Sequence, residues 1–160
     1  MTALMLLVAL TLSLLVAPLA AHAQPPSHVH RIGALSGLGP TPGRDLFVEA
    51  FLEGMRTLGY VEGQHLVLEY RGAAGHHERF PALAAELVQL KPEVIVTQGT
   101  PAALAAKDAT TTIPIVMVGV GDPVGSGLVA SLARPGGNIT GLSTLYYHRR
   151  ESKPISPLKK

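Results

Sequence analysis

Three short segments of this 160-residue chain put glycine next to small hydroxyl, amide or acidic residues: Ser36-Gly37 in SGLGPTPG, Gln98-Gly99-Thr100, and Gly121-Asp122. Such residues suit the binding of a polar ligand, because glycine lets backbone N–H groups approach while the side chains donate or accept hydrogen bonds. Thr100 followed by Pro101 is a helix-start signal, with Thr100 as the expected N-cap, and Asp122 is a second candidate cap. A helix N-terminus attracts a carboxylate or phosphate through its unpaired N–H groups and dipole.

Other chemistries find less to work with. The glycines at 37, 39 and 43 do not fit the dinucleotide pattern G-x-G-x-x-G, and Pro40 and Pro42 remove donors that a pyrophosphate needs. There is no G-x-S-x-G nucleophile elbow, and with no cysteine there is no thiolate nucleophile, thiolate metal site or disulfide. His76 and His77 are adjacent rather than four apart, so they do not form a helical metal pair; His28 and His30 near the N-terminus support weak adventitious metal binding at most. Glu69 and Asp122 end different strands and could pair for acid/base work, and Asn138-Ile139-Thr140 matches a glycosylation sequon by coincidence. No catalytic residue, metal site or cofactor is therefore expected.

The elements that must position these residues alternate. Apolar runs at 31–36, 65–70, 93–98, 113–119 and 139–143 read as strands. Phe47, Phe51, Met55 and Leu58 recur at helical spacing between Gly43 and Gly59; Phe80, Leu83, Ala84, Leu87 and Leu90 do so before Pro92; residues 100–109 form a third helix. Strands rich in Val, Ile and Leu that alternate with helices predict right-handed βαβ units: a doubly wound parallel α/β sheet covered on both faces. In such sheets ligands bind at the carboxyl ends of the strands, beside the switch point, which is where all three glycine segments fall.

Composition bounds the partners. Hydrophobic residues make up 47% and charged residues 15%, values that exclude a disordered chain. The pI of 9.1 is a tail effect, because eight Lys and Arg face ten Asp and Glu through Ser143, whereas five basic residues face only Glu151 after it. The body is mildly acidic, so nucleic acid is not an expected partner. Residues 3–21, ALMLLVALTLSLLVAPLAA, form an uncharged apolar run broken by Pro18 and followed by His22 and Ala23, the pattern of an export signal cleaved between Ala23 and Gln24.

Beyond that leader the residues themselves are informative. YVEGQHLVLEYR and the run from RFPALAAELVQLKPEVIVTQ to GDPVGSGLVASLARPGGNITGLS resemble the periplasmic substrate-binding proteins of ABC transporters of the tryptophan/tyrosine transport type. The resemblance covers about residues 31–143 and implies the first lobe of a type I periplasmic-binding-protein fold. In that fold two α/β lobes are joined by three crossing strands, and an amino-acid-like ligand is clamped between them for delivery to a permease. Carried over by position, Ser36, Gly37, Gln98, Gly99, Thr100, Gly121 and Asp122 would line the first lobe's side of the cleft.

The expected organisation is thus a signal peptide at 1–23, a linker at 24–30, the lobe at 31–143 and a basic tail at 144–160 that departs from the family. Family members are about twice as long, so a chain reduced to one lobe is expected to be impaired. The alternatives are a small secreted α/β hydrolase using Ser36 or Asp122, and a non-functional gene fragment.

Overall fold

The computed structural model describes residues 28–39 and 45–144. The expected leader with its cleavage site at Ala23 and Gln24, residues 40–43 of the first glycine loop, and tail residues 145–160 lie outside them. Five strands form one parallel sheet: β1 (His30–Ser36), β2 (Leu66–Gly72), β3 (Val94–Gln98), β4 (Ile115–Val120) and β5 (Ile139–Ser143). Helix α1 (Leu46–Thr57) connects β1 to β2, α2 (Phe80–Gln89) connects β2 to β3 after a single 3₁₀ turn at His77–Arg79, and α3 (Thr100–Ala109) connects β3 to β4.

The strand order is β2-β1-β3-β4-β5. The chain moves outward from β1 to β2, then crosses back to lay β3 on the other side of β1, so the switch point lies between β1 and β3. Ile32 of β1 is in register with Val94, and Leu35 with Thr97. The two faces have separate cores. Leu35, Ile95 and Ile115 meet Phe80, Leu83 and Leu87 of α2 and the alanines of α3. Ile32, Leu66 and Val96 meet Val48 and Leu52 of α1 on the opposite face. Burying each large apolar side chain contributes about 1.5–3 kcal/mol, which is why β1 and β3, covered on both faces, carry unbroken apolar runs.

The expected α/β class and element order hold, with shifted boundaries. Strand β2 starts one residue after His65 and runs on to Gly72, and β4 starts at Ile115, after Pro114. Helix α3 is capped by Gly99, not Thr100. Gly99 has φ +80° and ψ 163°, a backbone conformation that glycine adopts without strain, so the chain turns one residue early and Thr100 becomes the first helical residue. No helix follows Asp122. Gly125 and Gly127 weaken helix propensity there, and the segment closes as turns whose Leu128 and Val129 N–H groups both donate to the Pro123 carbonyl while their side chains enter the core.

Candidate functional site

At the carboxyl end of the central strands the structure builds a connected polar group. The Ser36 hydroxyl, wholly buried, lies 2.8 Å from Asp45 Oδ2 and 2.7 Å from Gln98 Oε1, and accepts the Leu38 N–H at 3.1 Å. A hydroxyl has one proton and two lone pairs. The Ser36 hydroxyl donates its proton to the Asp45 carboxylate, the charged and therefore stronger acceptor. Ser36 is fully satisfied when the Gln98 amide is turned so that its nitrogen donates, an orientation fixed by the network rather than by the atoms' positions.

Asp45 anchors this group from α1. It is the N-cap of that helix: Oδ1 accepts the Phe47 N–H at 3.0 Å, while Oδ2 takes the Ser36 hydroxyl and, at 3.2 Å, the Tyr70 hydroxyl. Tyr70, near the end of β2, also lies 3.2 Å from the Leu38 carbonyl oxygen. Burial pushes the Tyr70 hydroxyl above its ordinary 10; the Ser36 hydroxyl draws it down and the Asp45 carboxylate pushes it up. Gly72 is in register with Ser36, and a Cβ there would run into the Leu38 carbonyl oxygen, so glycine lets the loop after β1 fold down onto β2.

The residues expected from the sequence therefore divide. Ser36 and Gln98 are brought into contact across the switch point, and Gly37, Gly99 and Thr100 continue from the same two strands. Helix α3 has no side-chain cap, which leaves its first turn suited to an anion. Gly121 and Asp122 follow β4, the next strand out. Asp122 is exposed, with Oδ1 accepting the Gly125 N–H at 2.8 Å, so it closes its own turn.

The acid/base pairing of Glu69 with Asp122 does not form: Glu69 pairs with Arg31 at 3.0 Å, because it lies on β2 two residues beyond Val67, the register partner of Arg31, and so on the same face. Asn138 spends its amide nitrogen on the carbonyls of Ile113 (2.7 Å) and Thr110 (3.2 Å), tying the loop before β4 to the start of β5. Ser36 is no hydrolase nucleophile. Its oxygen is sealed from solvent, and none of its hydrogen-bond partners among the described residues is an imidazole.

Asp45 and Tyr70 were not expected. An acidic residue just before an apolar helical run is a capping signal, so Asp45 was within reach of sequence reasoning. A role for Tyr70 carried no such mark. His77, stacked on Phe80 with ring centroids 5.6 Å apart, stands beside Gly37 at the same pole. A cavity of about 590 Å³ lined by Lys107, Leu128, Pro135 and Ile139 contains none of the expected ligand residues; it adjoins the end of α3 and the start of β5.

A doubly wound parallel layer, with a polar group at the switch point, is a periplasmic-binding-protein-like lobe. The chain matches the ABC transporter substrate binding protein family over residues 38–156, and it belongs to that family. A tyrosine-binding protein of Clostridioides difficile is 36% identical over 109 residues, which cover 68% of this chain and 32% of that protein. A conserved domain protein of Vibrio cholerae superposes with TM-score 0.67 at 37% identity, and an ABC domain of Streptococcus pneumoniae in complex with L-Trp superposes with TM-score 0.65 at 30% identity. Each match covers 72% of this chain and 39% of the solved one. The chain thus spans about a third of the length of the curated relative it matches. The family is one of substrate-binding proteins, not enzymes, and the curated relative is named for tyrosine binding. No helix among the described residues is long and apolar enough to cross a membrane.

Proposed function

We propose that this chain supplies the first lobe of the solute-binding component of an ABC uptake system, with an amino-acid-like ligand held against the carboxyl ends of β1, β3 and β4. The observation that carries this reading is the Ser36–Gln98 contact across the switch point, where open α/β sheets bind ligands. Gln98, held by the buried Ser36 hydroxyl beneath it, sets the floor, Gly37 and Gly99 let a ligand approach the backbone, the first turn of α3 from Thr100 receives its carboxylate, and Gly121 with Asp122 forms the rim. An aromatic side chain on the ligand is favoured by the relatives, one named for tyrosine and one solved with L-Trp.

On this reading the leader at 1–23 is removed between Ala23 and Gln24, residues 24–30 link it to the lobe at 31–143, and a basic tail at 144–160 follows. The product works in the periplasm or outside the cell, delivering its ligand to a permease. The described residues form one wall only. An anion contact contributes about 0.3–2 kcal/mol and a half-buried side chain less than the 1.5–3 of full burial. Before association costs that sum only approaches the −4.1 kcal/mol of a millimolar complex. Specific pockets bury 70–90% of a ligand, which requires an opposing wall.

Calorimetry with tyrosine, tryptophan, phenylalanine and leucine tests this. The chain alone should bind none tighter than about millimolar, and a chimera that joins a family second lobe after Ser143 should bind an aromatic amino acid at least about a hundred-fold more tightly. Micromolar binding by the chain alone, with light scattering showing a monomer, would overturn the one-wall reading. A folded chimera that binds nothing, or binds equally well with Gln98→Ala, would overturn the site.

A further inference from the structure

The opposite end of the same two strands carries a second cluster. His28 and His30 are separated by one residue as the chain enters β1, so an extended backbone sends both rings to the same side. Glu93 lies 63 residues beyond His30 and enters β3; its N–H donates to the Arg31 carbonyl at 2.8 Å, which locks it beside them. His28 Nε2 lies 2.8 Å from Glu93 Oε1, and His30 Nδ1 lies 2.8 Å from Oε2. The ligating atoms of the three residues all fall within 4.8 Å of one another. We propose that His28, His30 and Glu93 form a site for one divalent cation of the zinc class, which pins the N-terminal segment to the β1–β3 pair.

The donor set argues for that class of ion. Two imidazoles and one carboxylate suit zinc and its late first-row neighbours, while calcium and magnesium favour all-oxygen shells. Ligand atoms about 2.0–2.2 Å from a tetrahedral ion sit about 3.3 Å from one another, so the cluster needs only small side-chain rotations to receive it. The ring of His30 is already oriented, edge-on to His28 at 4.9 Å and to Tyr60 at 5.7 Å. Arg31, the nearest cation in sequence, is engaged by Glu69. To coordinate, each ring offers the nitrogen that now faces Glu93, in the tautomer that carries its proton on the other nitrogen. His28 is exposed, which leaves a fourth position open to water.

The test uses protein purified without a polyhistidine tag from cells expressing the whole chain, titrated with Zn²⁺ against a chromogenic chelator. One equivalent should bind. Affinity should fall at least about ten-fold, the lower bound seen for outer-shell losses, in each of His28→Ala, His30→Ala and Glu93→Gln, and stay unchanged in His76→Gln/His77→Gln. In the unaltered protein, Co²⁺ should broaden the amide resonances of Arg31 and Val94 and spare that of Gly99 at the far pole. Overturning results are wild-type affinity no better than that of His28→Ala/His30→Ala, full affinity in Glu93→Gln, equal loss in the His76/His77 variant, or broadening centred elsewhere. Any of these would leave the cluster as a set of His–Glu hydrogen bonds and nothing more.

Discussion

β1 and β3 end in polar clusters at both poles of the sheet, and the two clusters obey different physics. At the carboxyl pole Ser36 and Asp45 are buried, and each bond there substitutes for water that has been excluded. At the amino pole Glu93 is 45% exposed and His28 more so, so solvent competes with every contact. A buried polar group left without a partner costs about 1–3 kcal/mol, whereas an exposed pair contributes little and is screened by salt. The carboxyl pole is therefore coupled to folding, and the amino pole is free to exchange partners, including a metal ion.

The largest expected contrast comes from Asp45→Ala. That change removes the N-cap of α1, worth about 1 kcal/mol and up to 2, and takes from the buried Ser36 hydroxyl and from the Tyr70 hydroxyl the charged acceptor they share. Urea denaturation should show a loss of about 2–4 kcal/mol, with Asp45→Asn recovering part of it as an alternative cap. Its counterpart His28→Ala should melt near wild type in the absence of metal. Equal losses at the two poles would erase the distinction between them.

A smaller effect is expected at Tyr70. Because its hydroxyl titrates above 10 in the folded chain, chiefly through burial, the folded state holds the proton over a window in which the unfolded state has released it. Stability is then full below about 10 and falls as pH rises through the folded value. Tyr70→Phe should cost about 0.5–1.5 kcal/mol at pH 7 through its lost hydrogen bonds, yet show a shallower decline between pH 9 and about 11. A decline as steep as that of wild type would assign the alkaline loss to other groups.

How far the sequence discloses each pole follows from the range of the contacts. The strands were legible because runs such as Val94–Val96 and Ile115–Val118 are covered on both faces, and helix α1 because its apolar residues keep one face. The Thr100 cap was misplaced by one residue because a Thr-Pro start outweighs Gly in propensity terms, while the backbone at Gly99 needs a positive φ that no propensity scale contains. Asp122 reads as a helix cap from its residue type alone, whereas the segment after it buries Leu128 and Val129 through turns. Ser36 and Gln98 could be grouped, since parallel strands bring their ends to one pole. Asp45 with Tyr70, 25 residues apart, and His30 with Glu93, 63 apart, depend on which strands are neighbours, and periodicity does not encode that.

The smallest expected effect lies at the amino pole and follows from Glu93. Its carboxyl is held at about 2 against an ordinary 4.5, first by the His30 hydrogen bond and then by that of His28. A carboxyl depressed in the folded state contributes stability above its unfolded value, and that contribution disappears as pH falls from about 4.5 toward 2. The denaturation midpoints of wild type and Glu93→Gln should therefore differ at about pH 5 and converge by about pH 2. Because both partners face solvent, raising salt to about 1 M should shrink the difference at every pH, while leaving the loss in Asp45→Ala almost untouched. Carbon-detected titration of the Glu93 carboxyl gives the direct reading. A midpoint near 2 means that the rings grip the carboxylate in solution and a metal must displace them to enter. A midpoint near 4.5 means that the His–Glu contacts do not persist at the amino pole, and the cluster would then lack the preorganisation on which its metal affinity depends.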